Sequence, residues 1–478
     1  MERRDFLKMA LSQATVPFLV SLGKSIAATK KPKPNFIVIF VDDLGYGDLG
    51  CFGSKKNRTP HIDQMATEGV KFTDFYVACS VCTPSRAALL TGCYPQRVNM
   101  YKDEEERCVL FPSSPKGLHP DEITIAEILR EQGYKTACIG KWHLGDQPEF
   151  LPTRQGFDYY FGIPYSNDMG GYVIDEKTMP ESVPLPLMRN KEVIEAPAKQ
   201  EALTKRYTEK AIKFIRKNQD SPFFVYLPHS MVHWPRHASE GFKGKSKNGI
   251  YGDALEEVDW STGEIIKTLK LLGIDDNTLV IFTSDNGADG GGSNVPLRNE
   301  KGTTYEGGMR VPCVMRFPEK IPAGRICREV CSTIDFLPTL IRLSGGAVPK
   351  DRIIDGKDIW PLMSGAPGAS SPHEAFYYYQ IDQLQCVRSG RWKLHLPMEN
   401  KKRNWGEPVG KTPLQLYDLQ NDIHEDKNVA DKHPDVVKRL LSLAEKMRKD
   451  IGDAGVKGEN QRPAGWVKEP KPQLLKKK

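Results

Sequence analysis

Four short apolar runs stand out along the chain, at residues 36–41, 136–139, 223–227 and 278–283. Each is rich in Val, Ile, Phe or Thr and bounded by turn-forming residues, the pattern of a strand buried on both faces. Between them the apolar positions recur with a helical period. Thr59 and Pro60 predict the cap and first residue of a helix that stops at Gly69, and residues 123–132 form a periodic run that ends at Gly133. Strand and helix periods alternate, which predicts an α/β sheet covered by helices on both faces.

After about residue 365 the texture changes to Gly, Pro, Ala and Ser. Shorter alternating runs follow at 385–388, 392–396 and 414–419, then a helical pattern over 434–448. These predict a smaller antiparallel sheet closed by one helix. The expected organisation is a main domain over 34–365, a smaller C-terminal α+β subdomain over 366–455, and a Pro- and Lys-rich tail over 456–478 that is loose and solvated. At the other end, Arg3-Arg4 precede Phe6-Leu7-Lys8, a mildly apolar stretch and Ser25-Ile26-Ala27-Ala28. Residues 1–27 are similar to a twin-arginine export signal cleaved after Ala27. That resemblance implies passage through the twin-arginine machinery in the folded state, to the periplasm or the exterior. No membrane-spanning segment is expected in the mature chain.

Charge changes the picture only when it is divided. The net charge is +7, but residues 1–27 hold four basic and two acidic groups and residues 464–478 five and one, which leaves +1 for the body. A near-neutral body gives no support to a nucleic-acid partner. Ten cysteines are scattered through a chain of 478 residues, too large to need disulfide staples, and their connectivity cannot be read from spacing.

Each of the four buried runs is followed at once by polar residues: Asp42-Asp43, then Lys141 and His143, then His229 and His233, then Asp285-Asn286. Ligand sites in open α/β sheets lie at the carboxyl ends of strands, so four segments direct their chemistry to one edge. Oxygen donors gathered there suit a hard cation. Three crowded carboxylates repel by about 4 kcal/mol per pair at 4 Å and an effective dielectric of 20, which a divalent cation would offset. In Cys82-Thr83-Pro84-Ser85-Arg86, Pro84 suits a first helical turn and places Cys82 at a helix N-terminus, where free N–H groups attract an anion. On these residues alone Cys82 is either an activated thiolate or a buried structural cysteine, and Cys79 with Cys82 has the spacing of a redox pair.

The segment from Cys82 to Gly92, CTPSRAALLTG, resembles the C-x-P-S-R-x-x-L-x-T-G signature of type I sulfatases, in which the cysteine is oxidised to formylglycine (3-oxoalanine). Residues 133–145, GYKTACIGKWHLG, resemble that family's second signature. Residues 301–308, KGTTYEGG, and 164–168, PYSND, are similar to sulfatases of the arylsulfatase A type, and the likeness runs from Pro34 to about Asn428. The resemblance implies an alkaline phosphatase-like fold: a large mixed sheet flanked by helices, with a smaller C-terminal antiparallel-sheet domain. It implies hydrolysis of sulfate esters, of sulfated carbohydrates above all, after a formylglycine-generating maturation enzyme has acted on Cys82.

The same resemblance implies roles for single residues. Asp42, Asp43, Asp285, Asn286 and the modified Cys82 hold Ca²⁺, with Mg²⁺ as the alternative. Arg86, Lys141 and Lys301 offset charge on the sulfuryl oxygens. His233 and Lys301 assist the leaving oxygen, and His143 deprotonates the second hydroxyl of hydrated formylglycine. Ser166 joins Lys141, His233 and Lys301 in contacting substrate. Asn167 stands where arylsulfatase A has histidine. Two alternatives stay open: a phosphoesterase of the same superfamily, typically with a Ser or Thr nucleophile and two zinc ions, and a non-catalytic exported glycan-binding protein on this scaffold.

Overall fold

A computed structural model describes residues 33–171, 183–403 and 407–476; the expected leader over 1–27 lies outside them. Ten strands form the main sheet: β1 (Asn35–Val41), β2 (Val70–Phe72), β3 (Lys135–Ile139), β4 (Tyr159–Gly162), β5 (Leu187–Arg189), β6 (Glu192–Glu195), β7 (Phe223–Pro228), β8 (Thr278–Ser284), β9 (Cys313–Arg316) and β10 (Arg325–Cys327). Their order is β10-β2-β9-β8-β1-β7-β3-β4-β5-β6. The four strands read from the sequence are the central neighbours β8, β1, β7 and β3, all parallel. The mixed character comes from the flanks, where β9 runs antiparallel to β8 and β5 antiparallel to β4.

Residues of β1 alternate between two cores. Phe36, Val38 and Phe40 pack on the face covered by α2 (Cys82–Thr91), α3 (Ile125–Glu131) and α6 (Phe336–Ser344). Ile37, Ile39 and Val41 pack on the opposite face with α1 (Pro60–Thr67), α4 (Leu203–Lys217) and α5 (Gly249–Leu271). A strand buried this way has no polar face, hence its unbroken apolar run. α3 starts two residues later than the apolar period suggests, because Thr124 and Glu127 close a capping box at its N-terminus. No helix among the described residues is long and apolar enough to cross a membrane.

A second sheet of β11 (Phe376–Gln380), β12 (Gln383–Ser389), β13 (Trp392–His395) and β14 (Gln415–Asp418) is antiparallel throughout, and α7 (Pro434–Ile451) packs on it. The expectation of a loose tail is corrected. Gly465 and Trp466 pair with Gly117 and Lys116, Arg462 bonds to Glu122 at 2.7 and 2.9 Å, and the Lys471 N–H donates to Gln147 at 2.8 Å. Composition alone hid these partners, since they lie more than 300 residues upstream.

Candidate active site

At the carboxyl edge of the central strands the chain turns sharply to present its polar residues. Gly140 follows β3 with φ 138°, and a Cβ there would stand 1.9 Å from the Pro228 carbonyl oxygen. Only glycine lets the ends of β3 and β7 approach so closely. Gly287 plays the same part after β8, where a Cβ would meet the Gly307 oxygen at 1.8 Å. Asp43 and His143 themselves have positive φ, 57° and 61°, a conformation that β-carbon-bearing residues hold only when their surroundings demand it.

The predicted residues converge. Arg86, fully buried, donates to Asp285 Oδ2 at 2.7 Å and to the Lys141 carbonyl at 3.0 Å, and lies 3.6 Å from Asp42 Oδ2. Lys141 Nζ donates to Asp42 Oδ2 at 2.5 Å and to Ser166 Oγ at 3.0 Å. Lys301 Nζ donates to Asp43 Oδ2 at 2.8 Å, and Asn286 Nδ2 to Asp43 Oδ1 at 2.7 Å. The Asp43 N–H donates to Asp285 Oδ1 at 3.1 Å. Three carboxylates and three cations thus balance one another, all buried except Lys301, whose side chain is 13% exposed at the cavity.

Burial would raise Asp42, but Lys141 and Arg86 outweigh it and hold that carboxyl well below the usual range. Burial, with Asp42 beside it, pushes Asp285 up to about 7. Burial would lower Lys301, yet the adjacent Asp43 keeps its ammonium charged beyond its ordinary range.

Two oxygens in this cluster, Asp42 Oδ1 and Asn286 Oδ1, are buried with no hydrogen-bond partner among the described residues. Ligand atoms of Asp42, Asp43 and His233 lie within 4.8 Å of one another. Unpartnered buried oxygens are costly, and oxygen donors so placed fit a hard divalent cation. His233 enters this group in addition to the roles at the leaving oxygen and the substrate that the family resemblance implies for it.

Cys82 is the first residue of α2 and is 3% exposed. Burial pushes its thiol up to about 12, against the lowering pull of Lys141 and Lys301. In the unmodified cysteine, burial thus favours the neutral thiol over the thiolate. Cys79 and Cys82 form no disulfide with one another.

A cavity of about 320 Å³ opens onto Cys82, His143, Ser166, His233 and Lys301. His143 Nε2 bonds to the Leu110 carbonyl at 2.9 Å, while its Nδ1 is buried and unpartnered. His233 Nδ1 bonds to the Trp234 carbonyl, and its Nε2 stands 3.7 Å from Asp43 Oδ2. A carbonyl only accepts, so the bonded nitrogen of each ring carries the hydrogen and the other keeps its lone pair. Burial depresses both rings, with Lys141 adding to the effect on His143 and Lys301 on His233.

Sequence reasoning missed the residues that hold and frame these groups. Thr83 Oγ1 donates to the His143 carbonyl at 3.0 Å, and Leu110 anchors that imidazole. Trp234, Asp168, Asp289 and Glu300 line the cavity. Asn167 turns away from it and donates to the Pro235 carbonyl at 2.9 Å and to Gln200 at 3.1 Å.

This arrangement has close relatives. A sulfatase family model matches residues 34–346, and the model of an N-sulphoglucosamine sulphohydrolase C-terminal region matches residues 299–451. Arylsulfatase A from Homo sapiens is 38% identical over 463 residues, covering 89% of each chain. N-acetylgalactosamine-6-sulfatase from Canis lupus familiaris is 40% identical over 396 residues, covering 79% of this chain and 74% of its own. The crystal structure of Ps i-CgsB in complex with k-i-k-neocarrahexaose superposes with a TM-score of 0.75 at 31% identity, covering 89% of this chain and 95% of that one. With both halves of the fold and the length of the chain matched, this protein belongs to the sulfatase family and is a sulfuric ester hydrolase.

Proposed function

We propose that this enzyme hydrolyses sulfate esters of carbohydrates, with formylglycine at position 82 and a divalent cation, Ca²⁺ before Mg²⁺, held by Asp42, Asp43, Asp285 and Asn286. The observation that carries the reading is the neutral buried cluster beside Cys82: three carboxylates matched by Arg86, Lys141 and Lys301, with the Asp42 and Asn286 oxygens still unpartnered. A divalent cation added to a balanced cluster leaves a net positive site, which suits an anionic ester and not a neutral one. When bound, the cation supplies the charge that lowers a hydroxyl pKa beside it. Formylglycine, once hydrated, supplies two hydroxyls on one carbon, one to attack sulfur and one whose deprotonation returns the aldehyde and frees sulfate.

The chain's own groups do the rest. Lys141 and Lys301 lie beside position 82 and face the negative charge of the sulfuryl oxygens, and Arg86 behind them holds Asp285 and Asp42 in place. Ser166 fixes Lys141. His233, charged once an anionic ester lies beside it, gives its Nε2 proton to the leaving oxygen as the sulfur–oxygen bond breaks. His143 offers the free Nδ1 lone pair to the proton removed when sulfate leaves. The carbohydrate assignment follows the named activity of the N-acetylgalactosamine sulfatase and the oligosaccharide in the matched crystal structure. The paired arginines at 3 and 4 support export of the folded chain to the periplasm or beyond, after a maturation enzyme has oxidised Cys82.

Peptide mass analysis of active enzyme should find formylglycine at position 82, and metal analysis one divalent cation per chain. Cys82→Ser and Cys82→Ala should fold and release no sulfate. Full activity with unmodified Cys82, or two tightly bound zinc ions, would overturn the reading.

A further inference from the structure

The mouth of the cavity carries three side chains that the proposed reaction does not use. Trp234 adjoins His233 and lines the cavity, yet 60% of its surface is exposed. Asp168 and Glu300 line it as well, both exposed, and neither carboxylate has a hydrogen-bond or ion-pair partner among the described residues. The third lining carboxylate differs, because Arg236 donates to Asp289. Lys301, the lining lysine, is engaged by Asp43 at 2.8 Å. Two carboxylates with no partner among the described residues therefore stand at the entrance to a site whose inner end is built for an anion.

That contrast selects the ligand. A free carboxylate accepts hydrogen bonds from hydroxyl or amide N–H donors, and it repels a second sulfate or a carboxylate brought near it. An exposed indole beside such acceptors offers an apolar face to the C–H face of a pyranose, while the acceptors take the ring's hydroxyls. The volume, about 320 Å³, lies at the small end of ligand pockets.

We infer that the mouth is a subsite for a singly sulfated, otherwise uncharged sugar ring. The ring stacks on Trp234, its hydroxyl or amide hydrogens bond to Asp168 and Glu300, and a second anionic group on the same ring is disfavoured. The inference rests on the sulfate-ester reading of the same cavity.

The test uses full-length enzyme with formylglycine confirmed by mass, and three esters: a neutral sugar monosulfate, the same sugar with a second ring sulfate, and nitrophenyl sulfate. Wild type should favour the monosulfate in kcat/KM. Asp168→Asn/Glu300→Gln should narrow the preference by about tenfold, the effect of removing like charges near the ring, and added salt should narrow it in wild type. Trp234→Ala should raise KM for the sugar monosulfate more than it lowers kcat, and Trp234→Phe should restore most of the loss. Equal use of the two sugars by wild type, an unchanged ratio in the double variant, or an unmoved KM in Trp234→Ala would overturn the subsite while sulfate release persists. Failure to release sulfate from all three esters would instead bring down the sulfate-ester reading itself.

Discussion

His143 and His233 share a cavity but offer it opposite nitrogens, Nδ1 in the first and Nε2 in the second. On the proposed cycle this separates them in time. His233 acts while the ester bond breaks, and His143 after the leaving group has gone. A sugar alkoxide needs a proton to depart, whereas nitrophenolate is stable at neutral pH, so His233→Ala should lose on the order of a hundredfold in turnover of a sugar sulfate and far less of an aryl sulfate. His143→Ala should slow both and let a sulfated enzyme accumulate, visible by mass in quenched reactions. Equal losses for His233→Ala on the two substrates would refute the assignment, provided ester cleavage limits both. His143 was legible because it sits in the long motif over 133–145, whereas His233 was read only from its place after the apolar run at 223–227 and from the family resemblance. Their tautomers were not, because the carbonyl that orients His143 belongs to Leu110, in a segment with no pattern of its own.

Between elements, a buried charge network ties the second sheet to the loop that carries Lys301. Lys393 on β13 donates to the Thr304 carbonyl at 2.8 Å and pairs with Glu306 and Glu425, each at 2.9 Å. Glu425 in turn accepts from the Glu306 N–H and pairs with His395, both at 2.8 Å. Lys393, Glu306 and Glu425 are fully buried, so Lys393→Met would remove the ammonium the two carboxylates share, leaving Glu306 to Arg310 and Arg388 and Glu425 to His395, and cost about 2–3 kcal/mol, read as a lower denaturant midpoint. Adding Glu306→Gln should recover part of that loss, because neighbours in one network are not additive. A double variant as unstable as the sum of the singles would show no coupling. The central strands were legible here, since burial on both faces writes an unbroken apolar run. β9, β5 and β6 were not: strands of three or four residues on the flanks carry too short a pattern to separate from loop. The network was also invisible, because its members lie up to 119 residues apart and each alone reads as a surface charge.

At the scale of the whole chain, the C-terminal segment closes the molecule where lysine and proline content suggested solvated coil. The Arg462 N–H donates to the Arg97 carbonyl at 2.7 Å, its guanidinium pairs with Glu122, and the Val467 N–H donates to the Pro115 carbonyl at 2.8 Å. The strand it pairs with, Lys116–Gly117, ends a stretch whose earlier residues Cys108 and Val109 line the cavity and whose Leu110 anchors His143. Gln147 exchanges hydrogen bonds with the Lys471 backbone and also donates to Asp146, which accepts from the Ser113 N–H. The tail therefore braces one wall of the cavity from behind. Deleting residues 456–478 should lower the melting temperature and weaken sulfate release, while deleting only 472–478, which removes none of these contacts, should leave both unchanged. Formylglycine content is measured alongside, so that failed maturation is separated from a loosened wall. If the longer deletion melts and turns over like wild type at equal formylglycine content, the brace has no consequence. If it melts lower but keeps kcat and KM, the tail stabilises the fold without reaching His143 through Leu110.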